Sequence, residues 1–217
     1  MIVDLNLAGR LAIVIGGGTE GIRKVKSLLG QHCKIIVVSN RLNKFLLDLA
    51  ARRKIDLIKS NLKDAMILDK FEKPFLVLAC TNDRSLNREL VQKAKKIGAF
   101  AYAADDPTVS DLTYLAIINI DDMVFVAIST KGKSPAMARM LRIRAERVLK
   151  RLIKEEDLEY IKLANFARDA AKSALKDSNA RKKYLYKVIK DKKIKSLIRS
   201  KKFDDAKGTA MELLEAW

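Results

Sequence analysis

The stretch Ile15-Gly16-Gly17-Gly18-Thr19-Glu20-Gly21-Ile22-Arg23 follows an apolar run and leads into a segment with apolar residues at helical spacing. Gly16, Gly18 and Gly21 fit the pattern GxGxxG, placed between a strand and a helix as that pattern requires. The first glycine permits a tight turn, the second lets the backbone approach a pyrophosphate, and the third lets the helix lie close to the strand. The stretch therefore predicts a dinucleotide-binding turn.

The first half of the chain alternates short β-branched runs with helical patterns. Strands are predicted at Leu11–Ile15, Lys34–Ser39, Asp56–Lys59, Phe75–Ala79 and Ala99–Ala101, and helices at Ile22–Leu29, Leu42–Arg52 and Ser85–Ile97. Such alternation is typical of a parallel sheet with helices on both faces. The predicted fold class is therefore α/β, with a Rossmann-type, NAD-binding sheet over residues 1–112.

The second half has a different pattern. The apolar runs Ala116–Ile120 and Val124–Ser129 predict a β-hairpin, and Ser134-Pro135 places a capping residue and a proline at a helix start. Helical patterns follow at about 155–176, 178–190 and 192–216. We expect a small dimerisation element over residues 113–150 and an all-helical region over 151–217. The hairpin would leave strand edges open, so a homodimer is expected.

The composition is that of a folded protein, with 49% hydrophobic and 32% charged residues. The amino-terminal residues lack the pattern of a signal peptide, and no apolar run reaches the roughly 20 residues that span a bilayer, so we expect a cytoplasmic protein without membrane contact. Cys33 and Cys80 lie far apart and form no CxxC pattern. They predict buried free thiols without a metal site, and His32 is expected in a packing position.

The formal net charge is +18, and residues 134–217 carry 23 basic and 12 acidic side chains. Basic clefts attract phosphates, carboxylates and nucleic acid. The chain shows no helix-turn-helix signature, no stacking aromatics and no zinc pattern, so nucleic acid is the weaker alternative. The charge predicts an anionic partner but does not say which.

The end of the second predicted strand lacks the acidic residue that usually binds the adenosine ribose. Val38 is followed there by Ser39-Asn40-Arg41. Asn40 can bond a hydroxyl, whereas Arg41 can pair with a 2′-phosphate. The sequence therefore leaves the choice between NAD and NADP open.

Three further segments follow the glycine stretch in order: Ala79-Cys80-Thr81-Asn82-Asp83 with Leu86-Asn87, then Ala104-Asp105-Asp106-Pro107, then Ala127–Pro135 with Ala138-Arg139. Together the four motifs resemble the precorrin-2 dehydrogenase family, which includes the N-terminal part of siroheme synthase. The resemblance covers roughly residues 3–150. It implies NAD-dependent oxidation of precorrin-2 to sirohydrochlorin in siroheme biosynthesis, a tetrapyrrole pathway, by a homodimer with a Rossmann domain, a small dimerisation domain and a helical C-terminal region.

Asp105 falls at the family's catalytic aspartate, where a carboxylate can accept a proton or hold the substrate. The predicted cofactor-binding residues follow the first, second and fourth strands: Gly16, Gly17, Gly18, Thr19, Glu20, Gly21, Ser39, Asn40, Thr81, Asn82 and Asp83. The resemblance further implies that a loop beside the active site binds the acetate and propionate arms of the anionic tetrapyrrole. Its candidates are Thr130, Lys131, Lys133, Ser134 and Arg139.

Two other functions stay open at this point. Some members of the family also insert iron, which a chain with one histidine supports poorly, although Asp105 could serve both reactions. A dinucleotide-sensing regulatory module without chemistry would explain the missing ribose-binding acid but not Asp105.

Overall fold

The computed structural model describes residues 2–217, which form two compact units, the first ending at Tyr114 and the second beginning at Leu115. This boundary lies two residues after the predicted end of the first domain, and the further division at residue 150 stays a prediction. The first unit holds five strands: β1 (Leu11–Ile15), β2 (Lys34–Ser39), β3 (Asp56–Lys59), β4 (Leu76–Ala79) and β5 (Phe100–Ala103). All pair in parallel, in the order β3-β2-β1-β4-β5. The predicted Rossmann-type sheet is confirmed.

Three α-helices cross between the strands: α1 (Thr19–Leu28), α2 (Lys44–Ala51) and α3 (Arg84–Lys96). A short 3-10 helix, Ala65–Lys70, precedes β4 and was not predicted, because six residues are too few to show a helical period. Asp64 caps it by accepting a hydrogen bond of 2.9 Å from the Met66 backbone N–H.

The core of the first unit lies on both faces of the sheet. Along β1, Ile13 and Ile15 pack into one apolar cluster, whereas Ala12 and Val14 pack into the other. This alternation follows from the opposite directions of successive side chains in a strand. It explains why β1 is a continuous apolar run rather than an alternating one.

The strand order reverses at β1, which pairs with β2 on one side and with β4 on the other. In open parallel sheets, ligands bind in the crevice at this point, outside the carboxyl ends of the strands. The backbone N–H of Gly16 donates to Val38 O (2.8 Å), and that of Cys80 donates to Ile15 O (2.7 Å). The ends of the three central strands are thereby fixed around the crevice.

The second unit begins with an antiparallel hairpin, β6 (Ala116–Ile120) and β7 (Val124–Ile128), followed by α4 (Pro135–Leu152). Four further helices complete it: α5 (Glu155–Ala174), α6 (Ser178–Lys190), α7 (Lys192–Arg199) and α8 (Phe203–Glu215). The predicted helical C-terminal region is confirmed. Within residues 2–217, no helix is both long enough and apolar enough to cross a membrane.

The prediction of one helix over 192–216 is wrong. Lys201 has a φ of +58° between α7 and α8. Its N–H donates to Ile198 O and that of Lys202 donates to Leu197 O, both at 2.9 Å. These bonds end α7 and redirect the chain, although a left-handed residue here would favour glycine.

Two smaller expectations also need correction. Cys80 is buried as predicted, but Cys33 is only half-buried. His32 is exposed and has a φ of +51° in the turn after α1. It is a turn residue and not a packing residue.

Candidate active site

The glycine turn after β1 is shaped by two close backbone approaches. Gly16 has a φ of +111°, and a Cβ atom on it would lie 2.3 Å from Cys80 O. A Cβ atom on Gly21 would lie 1.9 Å from Gly16 O. Both positions therefore exclude every other residue unless the backbone moves.

Gly18 differs from these two, because a Cβ atom on it would meet nothing within 4 Å. It directly precedes α1, and no side chain caps the first N–H groups of that helix. Uncapped N–H groups at a helix start, together with the helix dipole, attract phosphate. The open space at Gly18 and the uncapped helix start fit the pyrophosphate of a dinucleotide.

A cleft of about 250 Å³ opens beside this turn, at the carboxyl ends of the central strands. Of the predicted cofactor-binding residues, eight line it: Gly16, Gly17, Gly18, Ser39, Asn40, Thr81, Asn82 and Asp83. Thr19, Glu20 and Gly21 lie on the first turn of α1, outside the lining. Ser60, Asn61 and Leu62, which follow β3, also line the cleft. These three residues were not predicted, because no motif marks that loop.

The cleft wall after β2 is built around Ser39. Its hydroxyl donates to Arg41 O (2.8 Å) and accepts from the Arg41 N–H (3.1 Å), so it shapes the turn. Asn40 Nδ2 donates to Asn61 Oδ1 at 3.3 Å. Asn40 and Arg41 are both exposed at the rim, where an adenosine ribose would lie.

The cleft wall after β4 is held by α3. Asp83 caps this helix, accepting a hydrogen bond of 3.0 Å from the Leu86 N–H. Thr81 bonds to Asn87, whose side chain is buried and reaches Asp105 with its Nδ2, 2.8 Å from Asp105 Oδ1. A single amide thus joins the cleft wall to the predicted catalytic residue. The sequence reading placed Asn87 in a motif but gave it no role, since its two partners lie 6 and 18 positions away.

Asp106 is occupied by its own neighbours. The Thr108 hydroxyl and the Arg88 guanidinium both bond to its carboxylate, the latter at 2.8 Å. These hydrogen bonds, that from Thr108 above all, lower the pKa of Asp106 to about 2. Asp106 therefore stabilises the turn after β5 as a group that is charged at neutral pH. Arg84 lies farther off, with its Nε 3.9 Å from Asp105 Oδ2.

The loop with the predicted substrate-binding residues belongs to the second unit. Thr130 Oγ1 accepts from the Ser134 N–H (3.1 Å) and donates to Ser134 O (3.2 Å), which closes the loop. Ser134 caps α4, with its Oγ 3.2 Å from the Met137 N. Lys131, Lys133 and Arg139 are exposed on this loop and on the first turns of α4. The five residues lie within ten consecutive positions of the chain, and their binding role stays a prediction.

A parallel sheet of this order, with a glycine turn and an uncapped helix at its switch point, defines a dinucleotide-binding domain of the Rossmann type. A family model described as putative NAD(P)-binding matches residues 3–116, and the chain belongs to this family.

Two siroheme synthases are similar in sequence to this chain. The siroheme synthase of Neisseria meningitidis serogroup C is 31% identical over 179 residues, covering 82% of this chain and 35% of that protein. The siroheme synthase of Nitrosococcus oceani is 30% identical over 190 residues, covering 86% and 38%. The chain therefore spans little more than a third of the length of these relatives. The resemblance drawn from the four motifs is confirmed.

The solved structure of SirC, a precorrin-2 dehydrogenase, matches with a TM-score of 0.68 over the full length of both chains. Its sequence identity to this chain is 20%, so the match shows the fold. It extends the likeness beyond the dinucleotide-binding domain to the helical region.

Proposed function

We propose that the chain catalyses the NAD-dependent oxidation of precorrin-2 to sirohydrochlorin, a step in siroheme biosynthesis. One observation carries the proposal. Asp105, which is 31% exposed at its side chain, follows β5 and is hydrogen-bonded through Asn87 to the wall of the dinucleotide cleft. A carboxylate accessible to solvent beside a dinucleotide cleft can accept the proton that a dehydrogenation releases.

The predicted cofactor residues divide into three groups. The glycine turn and the start of α1, from Gly16 to Gly21, bind the pyrophosphate, and Gly18 provides the closest backbone approach. Asn40 on the rim after β2 bonds to the adenosine ribose, while Ser39 fixes the turn by bonding to the backbone of Arg41. The loop Thr81-Asn82-Asp83 faces the nicotinamide end. NAD, when bound, supplies the acceptor for the hydride.

The carboxylate of Asp105 is the proton acceptor of the reaction. Precorrin-2 loses two hydrogens on becoming sirohydrochlorin, one as a hydride and one as a proton. Asp105 accepts that proton and then releases it to water, which its partial exposure permits. Asp106 is held by Thr108 and Arg88 and takes no part in the transfer.

Charged side chains of the second unit bind the substrate's acid arms. Lys131, Lys133 and Arg139 are exposed cations, and carboxylates bind such groups by charge-assisted hydrogen bonds. Thr130 and Ser134 fix the loop that presents them. The basic excess of residues 134–217 adds a favourable field for a polycarboxylate.

The proposal is tested by measuring the formation of sirohydrochlorin directly. The chain is incubated anaerobically with enzymatically generated precorrin-2 and either NAD or NADP, and sirohydrochlorin is followed by its absorbance. We expect product with NAD, and the parallel NADP reaction measures the cofactor preference. Dinucleotide binding without product would contradict the proposal and favour a regulatory module.

We further propose that the chain is a homodimer through the hairpin and α4. The outer face of the hairpin exposes Ile117 and Phe125, and α4 exposes Val148 and Leu152, which are 64% and 68% accessible. Apolar side chains concentrated on neighbouring elements are typical of a subunit interface. The opposite face of the hairpin is already covered, since Ile118 and Ile120 are buried.

A further inference from the structure

Asn87 lies on the first turn of α3 and is 1% exposed. Both polar atoms of its side-chain amide are fully hydrogen-bonded. Oδ1 accepts from the Thr81 N–H (3.0 Å) and from Thr81 Oγ1 (2.7 Å), and Nδ2 donates to Thr81 O (3.1 Å) and to Asp105 Oδ1 (2.8 Å). The partners fix the orientation of the amide, because a backbone N–H only donates and an ionised carboxylate only accepts.

We propose that Asn87 is a positioning residue, which fixes the Asp105 carboxylate relative to the cleft wall and leaves Oδ2 as the oxygen that takes the proton. The inference rests on the proposed function. The donor of Asn87 occupies Oδ1, while Arg84 Nε stands 3.9 Å from Oδ2, beyond hydrogen-bond distance. Within residues 2–217, Oδ2 accepts no hydrogen bond and is reached only by the long ion pair with Arg84, so it is the more accessible oxygen for a substrate proton.

The burial of Asn87 supports this role. A buried amide costs free energy unless each of its polar atoms is paired, and one partner of Asn87 is charged. Apolar side chains would fill the same volume without that requirement. The network instead ties two loops, one after β4 and one after β5, and it acts beside the pairing of the two strands and the Arg88–Asp106 hydrogen bond. Asp105 therefore keeps one orientation although its carboxylate reaches solvent.

The contact can be tested without turnover. In proton–nitrogen correlation spectra, the side-chain amide signal of Asn87 is assigned by its loss in Asn87→Ala. Asp105→Asn replaces a charged acceptor by a neutral one, which weakens the hydrogen bond, so we expect the Asn87 signal to move upfield. Ser110→Ala is the matched control. Ser110 bonds to the backbone of Ala103 and Asp106 in the same segment, and its loss should leave the Asn87 signal in place.

The kinetic test uses Asn87→Asp. This variant keeps the shape and the oxygen that accepts from Thr81 but replaces the donor by a second carboxylate beside Asp105. Displacement of a reacting group by about 1 Å can cost about 10²-fold in rate. We expect kcat to fall by that order with KM for NAD within a few-fold, and the acidic limb of the kcat profile to move to higher pH. Ser110→Ala should lower the Tm without moving the profile.

The outcomes separate the two proposals. A parent chain without turnover overturns the proposed function and the inference with it. An active parent whose Asn87→Asp variant keeps its kcat and pH profile overturns the inference alone. If Asn87→Asp fails to fold, the spectra of the parent and of Asp105→Asn decide, because an unchanged Asn87 signal means that Asn87 does not hold Asp105.

Discussion

Asp105 and Asp106 are consecutive residues, yet 31% of the Asp105 side chain is exposed and only 6% of the Asp106 side chain. The backbone after β5 directs one carboxylate towards solvent beside Asn87 and the other towards Thr108 and Arg88. Two chemically identical groups thereby differ in what they can do. Asp105 can exchange a proton with a substrate, whereas Asp106 holds the turn.

Replacement of Asp105 by asparagine should reduce turnover strongly and leave cofactor binding intact. Asparagine keeps the shape of the side chain but cannot accept a proton at neutral pH. Loss of a general base costs about 10²–10⁴-fold in rate. We expect this loss in sirohydrochlorin formation, with NAD affinity by titration within a few-fold of the parent. Turnover near the parental rate would refute the assignment of Asp105.

Asp106 should affect stability at acidic pH rather than chemistry. Its pKa in the folded chain is about 2, below the ordinary value of 3.8. Its contribution to stability is therefore complete above the ordinary value and is lost as the pH falls from there towards 2. The Tm of the parent should drop more between pH 5 and pH 2.5 than the Tm of Asp106→Asn. Equal drops would contradict the role of the hydrogen bonds from Thr108 and Arg88.

Gly18→Val should abolish dinucleotide binding while the sheet stays folded. The Cβ atom of the new side chain meets nothing within 4 Å, and the φ of −75° at this position suits any residue. It fills the space that we assign to the pyrophosphate. Titration with NAD measures the loss, and circular dichroism checks the fold. Parental affinity in Gly18→Val would place the phosphates elsewhere, while Gly21→Ala serves as a contrast that disturbs the turn itself.

Phe125→Glu should convert a dimer into a monomer. Phe125 is 58% exposed on the outer face of the hairpin, and a charge there would be buried without a partner in the proposed interface. Light scattering at micromolar concentration measures the mass. Tyr186→Glu on α6, at a position 55% exposed, is the matched control and should stay dimeric. A monomeric parent would remove the proposed interface.

Local patterns predicted most of the first unit because β1, β2 and β4 are largely buried apolar runs. The predicted bounds of β1, β2 and β3 agree with the structure. The network around Asn87 escaped prediction since it depends on how two loops meet in space. The break at Lys201 escaped it because no glycine marks the left-handed residue. Secondary-structure propensity depends on residues that are neighbours along the chain. The Asn87 network and the break at Lys201 depend instead on packing between distant residues.

The thiol of Cys80 lies in the wall of the dinucleotide cleft, with 5% of the residue exposed. Burial raises its pKa to about 12, so the reactive thiolate is scarce at neutral pH. Because so little of the residue is exposed, we expect an alkylating reagent to react with it mainly when the surrounding residues move apart. In a chain with Cys33→Ser, the labelling rate of Cys80 therefore measures how often the cofactor domain opens locally. The measurement needs no substrate.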